Sequence, residues 1–174
     1  FEALTRDENC EAKKILRVGD RFLCNDYFDV IVHCAEVSDR QLVNDLGESY
    51  RTCATSNVSH LISRCKYLIY LSSSVLYESS DSGLKVEKSK TVISDNYCAT
   101  KVAAENLVLS AGGAALRVSN VFGEGMSSGN VISDILSQVG SKVMTLNNIH
   151  AVRDFIHVAD VAYYIKELAI LQSD

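Results

Sequence analysis

Short apolar runs alternate along the chain with longer stretches of helical spacing. Runs rich in Val, Ile, Leu and Tyr predict strands over 1–5, 15–18, 29–34, 67–72, 114–118 and 143–146. The runs at 29–34 and 67–72 are nearly continuous rather than alternating, as in strands buried on both faces of a parallel sheet. A helix is predicted within 41–64, without clear ends. A second spans 97–110, where Ala99, Val102, Ala103, Asn106 and Leu107 recur at helical spacing. Ser94 and Asp95 precede it as N-cap residues, and Gly112-Gly113 stops it. Helices at 131–139 and 158–171 follow, and the polar, aperiodic stretch 78–94 reads as an exposed loop. Strands alternating with helices predict an α/β fold around a parallel sheet. Such sheets bind ligands at the carboxyl ends of their strands, so functional residues are expected just after predicted strands.

Four clusters meet that expectation. In Tyr97-Cys-Ala-Thr-Lys101 the phenol and the amine share one helix face. An ammonium beside a phenol favours the phenolate, lowering its pKa from about 10 and preparing it for proton transfer. With 8 tyrosines in the chain the spacing alone is weak, and a surface pair is the bland reading. Ser72-Ser-Ser-Val-Leu-Tyr77 puts hydroxyls at the end of a buried strand. Leu116-Arg-Val-Ser-Asn-Val-Phe-Gly123 ends a strand in Asn120, a donor and an acceptor at once, and Gly123 and Gly125 permit a tight loop. Arg153-Asp-Phe-Ile-His-Val158 carries an arginine able to clamp a phosphate or to pair with a surface Asp.

Composition narrows the field. A chain of 174 residues, 47% hydrophobic, sustains one core and little more than one domain. A net charge of −5 argues against a nucleic-acid partner. No apolar run approaches the roughly 18 residues of a membrane span, and no signal peptide opens the chain. The 6 cysteines form no C-x-x-C pair and several, like Cys34, sit in apolar runs. They fit a reducing, cytoplasmic setting. His33, His60, His150 and His157 lack ligand spacing, so no metal is expected. Proline is absent where average usage of about 5% predicts roughly nine.

In this order the four clusters resemble the extended short-chain dehydrogenase/reductase family, specifically its NAD-dependent epimerase/dehydratase group acting on nucleotide sugars. Asp29-Val-Ile-Val-His-Cys-Ala35 is similar to the strand ending beside the dinucleotide, and the likeness covers nearly the whole chain. It implies a Rossmann-like, doubly wound parallel sheet, with a partial NAD(P)-binding domain over 1–125 and the start of a substrate-binding portion over 126–174. It also implies that Tyr97 exchanges a proton with a sugar hydroxyl. Lys101 holds the nicotinamide ribose, and Ser73, four residues before Tyr77, bonds the reacting oxygen. Ser72 and Ser74 stay open for that last role. Ser74, Asn120 and Arg153 fall at substrate positions, and Arg6, Asp20 and Ala35 beside the cofactor. Arg6 at the end of the predicted strand 1–5 tilts the cofactor from NAD toward NADP, with Asp7 as a possible NAD anchor. A homodimer through the helix carrying Tyr97 is implied as well.

The sequence departs from the family in several places. No glycine precedes Gly19, so the glycine-rich loop and the first, central strand are missing, as are elements that would cover the substrate beyond Asp174. A chain cut at both ends is the expectation. The family's assisting Asn falls near Ala54, with Asn57 close by. Ser74-Val75 stand where dehydratases place Asp-Glu, favouring an epimerase or a reductase. The alternatives are an NADPH-dependent ketone reductase of the same family and a non-catalytic NAD(P)-binding sensor or assembly subunit.

Overall fold

A computed structural model describes residues 13–18, 21–23, 25–77, 83–126, 128, 130–146, 150 and 152–173. The predicted strand 1–5, Arg6 and Asp20 lie outside them. The first elements, β1 (Leu16–Val18) and β2 (Arg21–Leu23), pair antiparallel. β2 is too short for a periodicity to announce it. The central sheet holds β3 (Phe28–His33), β4 (Cys65–Ser73) and β5 (Ala114–Val118) in that order, all parallel. Parallel neighbours need long crossovers. Helix α1 (Arg40–Ile62) supplies the first and α2 (Asn96–Ser110) the second. A further parallel pair joins β6 (Asn120–Phe122) to β7 (Phe155–His157), with α3 (Val131–Ser137) between them in sequence and α4 (Val158–Ser173) after.

Burial follows the pleat. In β4, Leu68 and Tyr70 join Ile31 of β3 and face Val58 and Leu61 of α1 and Ala104 and Val108 of α2, forming the main core. Ile69 points to the other face and is fully buried there. Helix α4, with Val161 and Ile165 buried, packs on β3 and β4. This two-sided burial is why the runs at 29–34 and 67–72 read as continuous rather than alternating.

The predicted strand 143–146 is a correction. These residues form no strand; Val143 is 77% exposed, and Thr145 is held instead by its backbone N–H donating to the Gln138 side chain at 2.7 Å. The strand neighbouring β6 comes from 155–157, where Phe155 and His157 pack on the Phe122 ring. The sequence pattern predicts no strand at that segment.

Helix α1 is interrupted at Gly47, whose φ of +65° ordinary side chains rarely adopt. The break accounts for the blurred periodicity of 41–64. Gly113, just past α2, answers a different demand. A Cβ there would lie 2.4 Å from the Leu68 carbonyl oxygen and 2.8 Å from a Val108 methyl, so α2 can return to β5 only without a side chain. Gly113→Ala should destabilise the fold by about 1–3 kcal/mol, the usual cost of overpacking a site that cannot yield. A lower urea midpoint at unchanged m-value would show it.

Candidate active site

The site lies where the central strands end. Helix α2 begins at the cap Asp95, whose carboxylate accepts from the Cys98 N–H at 2.8 Å. The same carboxylate takes Arg40 Nε at 2.6 Å and Asn44 Nδ2 at 3.3 Å. Asn44 Oδ1 in turn accepts the backbone N–H of Tyr97 at 2.9 Å. The start of α1 thus clamps the start of α2, the segment that carries Tyr97.

Four residues on, Lys101 is only 7% exposed. Its ammonium donates to Glu36 Oε2 at 2.8 Å and to the Leu71 carbonyl at 3.0 Å, with Nζ 4.9 Å from the Tyr70 ring centroid and 5.8 Å from that of Tyr97. Tyr70 donates its hydroxyl to the same Glu36 oxygen at 2.7 Å. Burial would raise the Glu36 carboxyl, but neighbouring His33, the Lys101 charge and the bonds from Lys101 and Tyr70 outweigh it and hold the group at about 2. Burial and the Glu36 charge push the Tyr70 phenol far up, so it remains a donor.

The serines diverge. Ser73 Oγ accepts from the Val75 N–H at 3.3 Å, capping the short 3-10 turn Ser74–Leu76, and keeps its own proton to donate. Ser72 is buried, and its Oγ has no hydrogen-bond partner among the described residues. Ser74 is half-buried and Ala35 exposed. The register sets Ser73 beside Val118, two residues before Asn120. Asn120 pairs with Phe155, and its Nδ2 donates to the Asp154 carbonyl at 2.8 Å. Arg153, exposed, adjoins that carbonyl's residue. Strand pairing therefore brings the second, third and fourth sequence clusters to one rim, while α2 delivers the first to the end of β4.

Sequence reading missed three features. Glu36 was passed over because it follows the apolar run. The Asn that reaches Tyr97 is Asn44, whereas Asn57 lies one turn from Cys53 in α1, with Nδ2 3.7 Å from the sulfur. The signal available for Asn44 was its place three residues before Gly47. The third is Glu105, 3% exposed, bound bidentately by Arg117, whose guanidinium also lies 5.0 Å from the Tyr77 ring centroid. That pair ties α2 to β5 and to the turn after the serines.

A family model described as "NAD dependent epimerase/dehydratase family" matches residues 15–171. The chain belongs to the NAD dependent epimerase/dehydratase family. No curated protein matches the sequence. Solved structures of similar fold include MoeE5 in complex with UDP-glucose and NAD, with 23% identity and a TM-score of 0.68 over 83% of this chain and 53% of that one. A UDP-N-acetylglucosamine 4-epimerase from Bacillus cereus shares 18% identity, with a TM-score of 0.71 over 83% and 53%. RMD from Pseudomonas aeruginosa complexed with NADPH shares 20%, with a TM-score of 0.71 over 82% and 56%. The chain thus spans about half the length of the structures it matches. The likeness shows the Rossmann-like architecture of this epimerase/dehydratase family member: a parallel sheet with flanking helices. Among the described residues, no helix is long and apolar enough to cross a membrane.

Two carboxylates of the site leave a signature in acid. Asp95 is drawn from 3.8 to about 2, against its burial, by the Cys98 N–H and Arg40, and Glu36 from 4.5 to about 2. A depressed folded-state value contributes stability above the unfolded value, and that stability is lost as pH falls toward the folded one. Stability should therefore drop between about pH 4.5 and 2. Asp95→Asn, which can still cap α2, should show a shallower drop there and lose at most about 1 kcal/mol at neutral pH. Urea midpoints across that window test it.

Proposed function

We propose that the protein is an enzyme that uses a nicotinamide dinucleotide to epimerise a nucleotide sugar, or to dehydrate one by related chemistry. The observation that carries the reading is the convergence of Tyr97 and Lys101 on the carboxyl end of β4, next to Ser73. Family membership supports it, as do the similar structures of MoeE5 in complex with UDP-glucose and NAD and of a UDP-N-acetylglucosamine 4-epimerase.

The local chemistry fits the ribose end of such a cofactor. Lys101 spends two of its three ammonium protons on Glu36 and Leu71, leaving one for a ribose hydroxyl. Ser72 Oγ, buried without a partner, is a further polar group at the strand end that a ligand could satisfy. When bound, the nicotinamide accepts and returns a hydride, and the protein's part is to place and protonate. Tyr97 takes the proton of the sugar hydroxyl as its carbon is oxidised, and gives it back on reduction. Ser73 donates to the same oxygen and stabilises the charge that builds there. The third proton of Lys101 positions the ribose.

Asn120, with Oδ1 and its second amide proton still open, and Arg153 recognise the nucleotide diphosphate or sugar. Residues 1–125 form the cofactor-binding portion, and 126–174 begin the substrate-binding one. Neighbours bind NAD and, in one case, NADPH, so the cofactor is NAD(P).

Tyr97→Phe keeps the ring and removes the proton carrier. It should lower turnover of UDP-glucose or UDP-N-acetylglucosamine by about 10²–10⁴-fold, while calorimetric affinity for the dinucleotide stays within a few-fold of wild type. Dinucleotide binding with no turnover change in the variant would point to a sensor. No dinucleotide binding by the wild-type protein would sink the reading.

A further inference from the structure

Glu36 is a buried acid that the mechanism above does not use. Its side chain is 8% exposed, directly after β3 at the ligand-binding end of the sheet. One oxygen, Oε2, carries the bonds from both Lys101 and Tyr70. The other, Oε1, has no hydrogen-bond partner among the described residues and stands 3.7 Å from His33 Nε2, which has none either. Glu36 and His33 border a cavity of about 10 Å³, closed on the α1 side by Tyr50 and Ala54, with room for one water. The carboxylate thus has ample means to stay ionised and a fixed direction in which to act, toward Lys101.

The groups around the ammonium determine how it responds to loss of the Glu36 charge. From β4 comes Tyr70, a phenol held neutral. From α2 come Tyr97, and Glu105, whose carboxylate is already bound by Arg117. From β3 come His33 and, next to it, the Cys34 thiol, which feels the Lys101 charge. The Leu71 carbonyl offers a dipole but no charge. Glu36 is therefore the counter-ion of a lysine taken almost wholly out of water. An uncompensated buried ammonium gives up its proton far more readily than an exposed one.

We infer that Glu36 is a positioning residue for Lys101, keeping the buried ammonium charged and aimed between the end of β4 and Tyr97. The inference rests on the reading of Tyr97 and Lys101 as the working pair and adds the residue through which the lysine retains its charge. It also distinguishes this chain's site from one in which the dinucleotide alone would meet the lysine.

The test uses Glu36→Gln, which preserves size and one acceptor oxygen for Lys101 and Tyr70 while removing the charge and turning the other oxygen into an NH2 donor, with Glu36→Asp as the charge-retaining control. In the wild-type protein without ligand, ¹³Cε-labelled lysine is followed by NMR against pH, the Lys101 signal being assigned by its loss in Lys101→Arg. Glu36→Gln should bring the Lys101 transition down by at least about one pH unit, with Glu36→Asp restoring most of it. The alkaline limb of kcat with UDP-glucose or UDP-N-acetylglucosamine should move down with it. KM should change less than kcat at the pH where the two profiles part. Coincident Lys101 transitions in wild type and Glu36→Gln would overturn the inference. Should Glu36→Gln fail to fold, Glu36→Ala, which leaves space for water, answers the same question. If no dinucleotide or nucleotide sugar is bound at all, the proposed function fails, while the NMR arm still decides the role of Glu36.

Discussion

Lys101 shares one helix face with Tyr97, and α2 turns that face into the core at the end of β4. A lysine there loses its hydration, a penalty of several kcal/mol that only good geometry offsets. The fold meets it from three directions: the Leu71 carbonyl below, Glu36 from the loop after β3, and the Tyr70 ring across from it. Each depends on the strands being parallel and in their observed register, since His33 pairs with Tyr70 and so brings the loop after β3 above the end of β4. Buried ion pairs are weak contributors to stability compared with well-packed apolar groups. Retaining one here makes sense when the charge itself is needed.

Around that centre the remaining contacts fix α2. Its N-terminus is clamped by Arg40 and Asn44, which stand just before the break in α1 at Gly47. Midway along, Glu105 ties it to Arg117 of β5. At its end, Gly113 lets the chain turn back under the strand. A helix held at its start, middle and end has little freedom to roll. The one-face spacing of Tyr97 and Lys101 therefore becomes a fixed geometry rather than an average one.

Much of this was legible in the residues. β5 was read at its observed bounds, and α2 to within one residue of its start, because the caps Ser94 and Asp95 before the helix and Gly112-Gly113 after it are strong local signals that also fix where β5 begins. Tyr97 and Lys101 stood out through spacing. Two of the features that were missed depend on contacts between distant parts of the chain. Glu36 meets Lys101 across 65 residues, and Asn44 meets Tyr97 across 53, so no window of local pattern contains either pair. Strand 143–146 failed for the opposite reason. Its apolar residues give a local β signal, but the neighbouring position beside β6 is taken by Phe155–His157, and a strand without a partner does not form.

The same pairing bears on how Asn120 and Arg153 stand relative to Tyr97 and Lys101. Asn120 follows β5 after a single residue, so the rim that carries Asn120 and Arg153 is a direct continuation of the strand paired with Ser73. Tyr97 and Lys101 hang from α2, which is clamped by α1 and, through Glu105, by Arg117 of β5, whereas the β6–β7 ribbon is held by its own ladder, by aromatic contacts of Phe122 and by α4. No hydrogen bond or ion pair among the described residues runs from Asn120 or Arg153 to α2. The rim residues and the buried ammonium are therefore held by different elements. That follows from strand order alone: the ribbon extends the strand at the sheet's edge, and the ammonium is buried at the end of its centre.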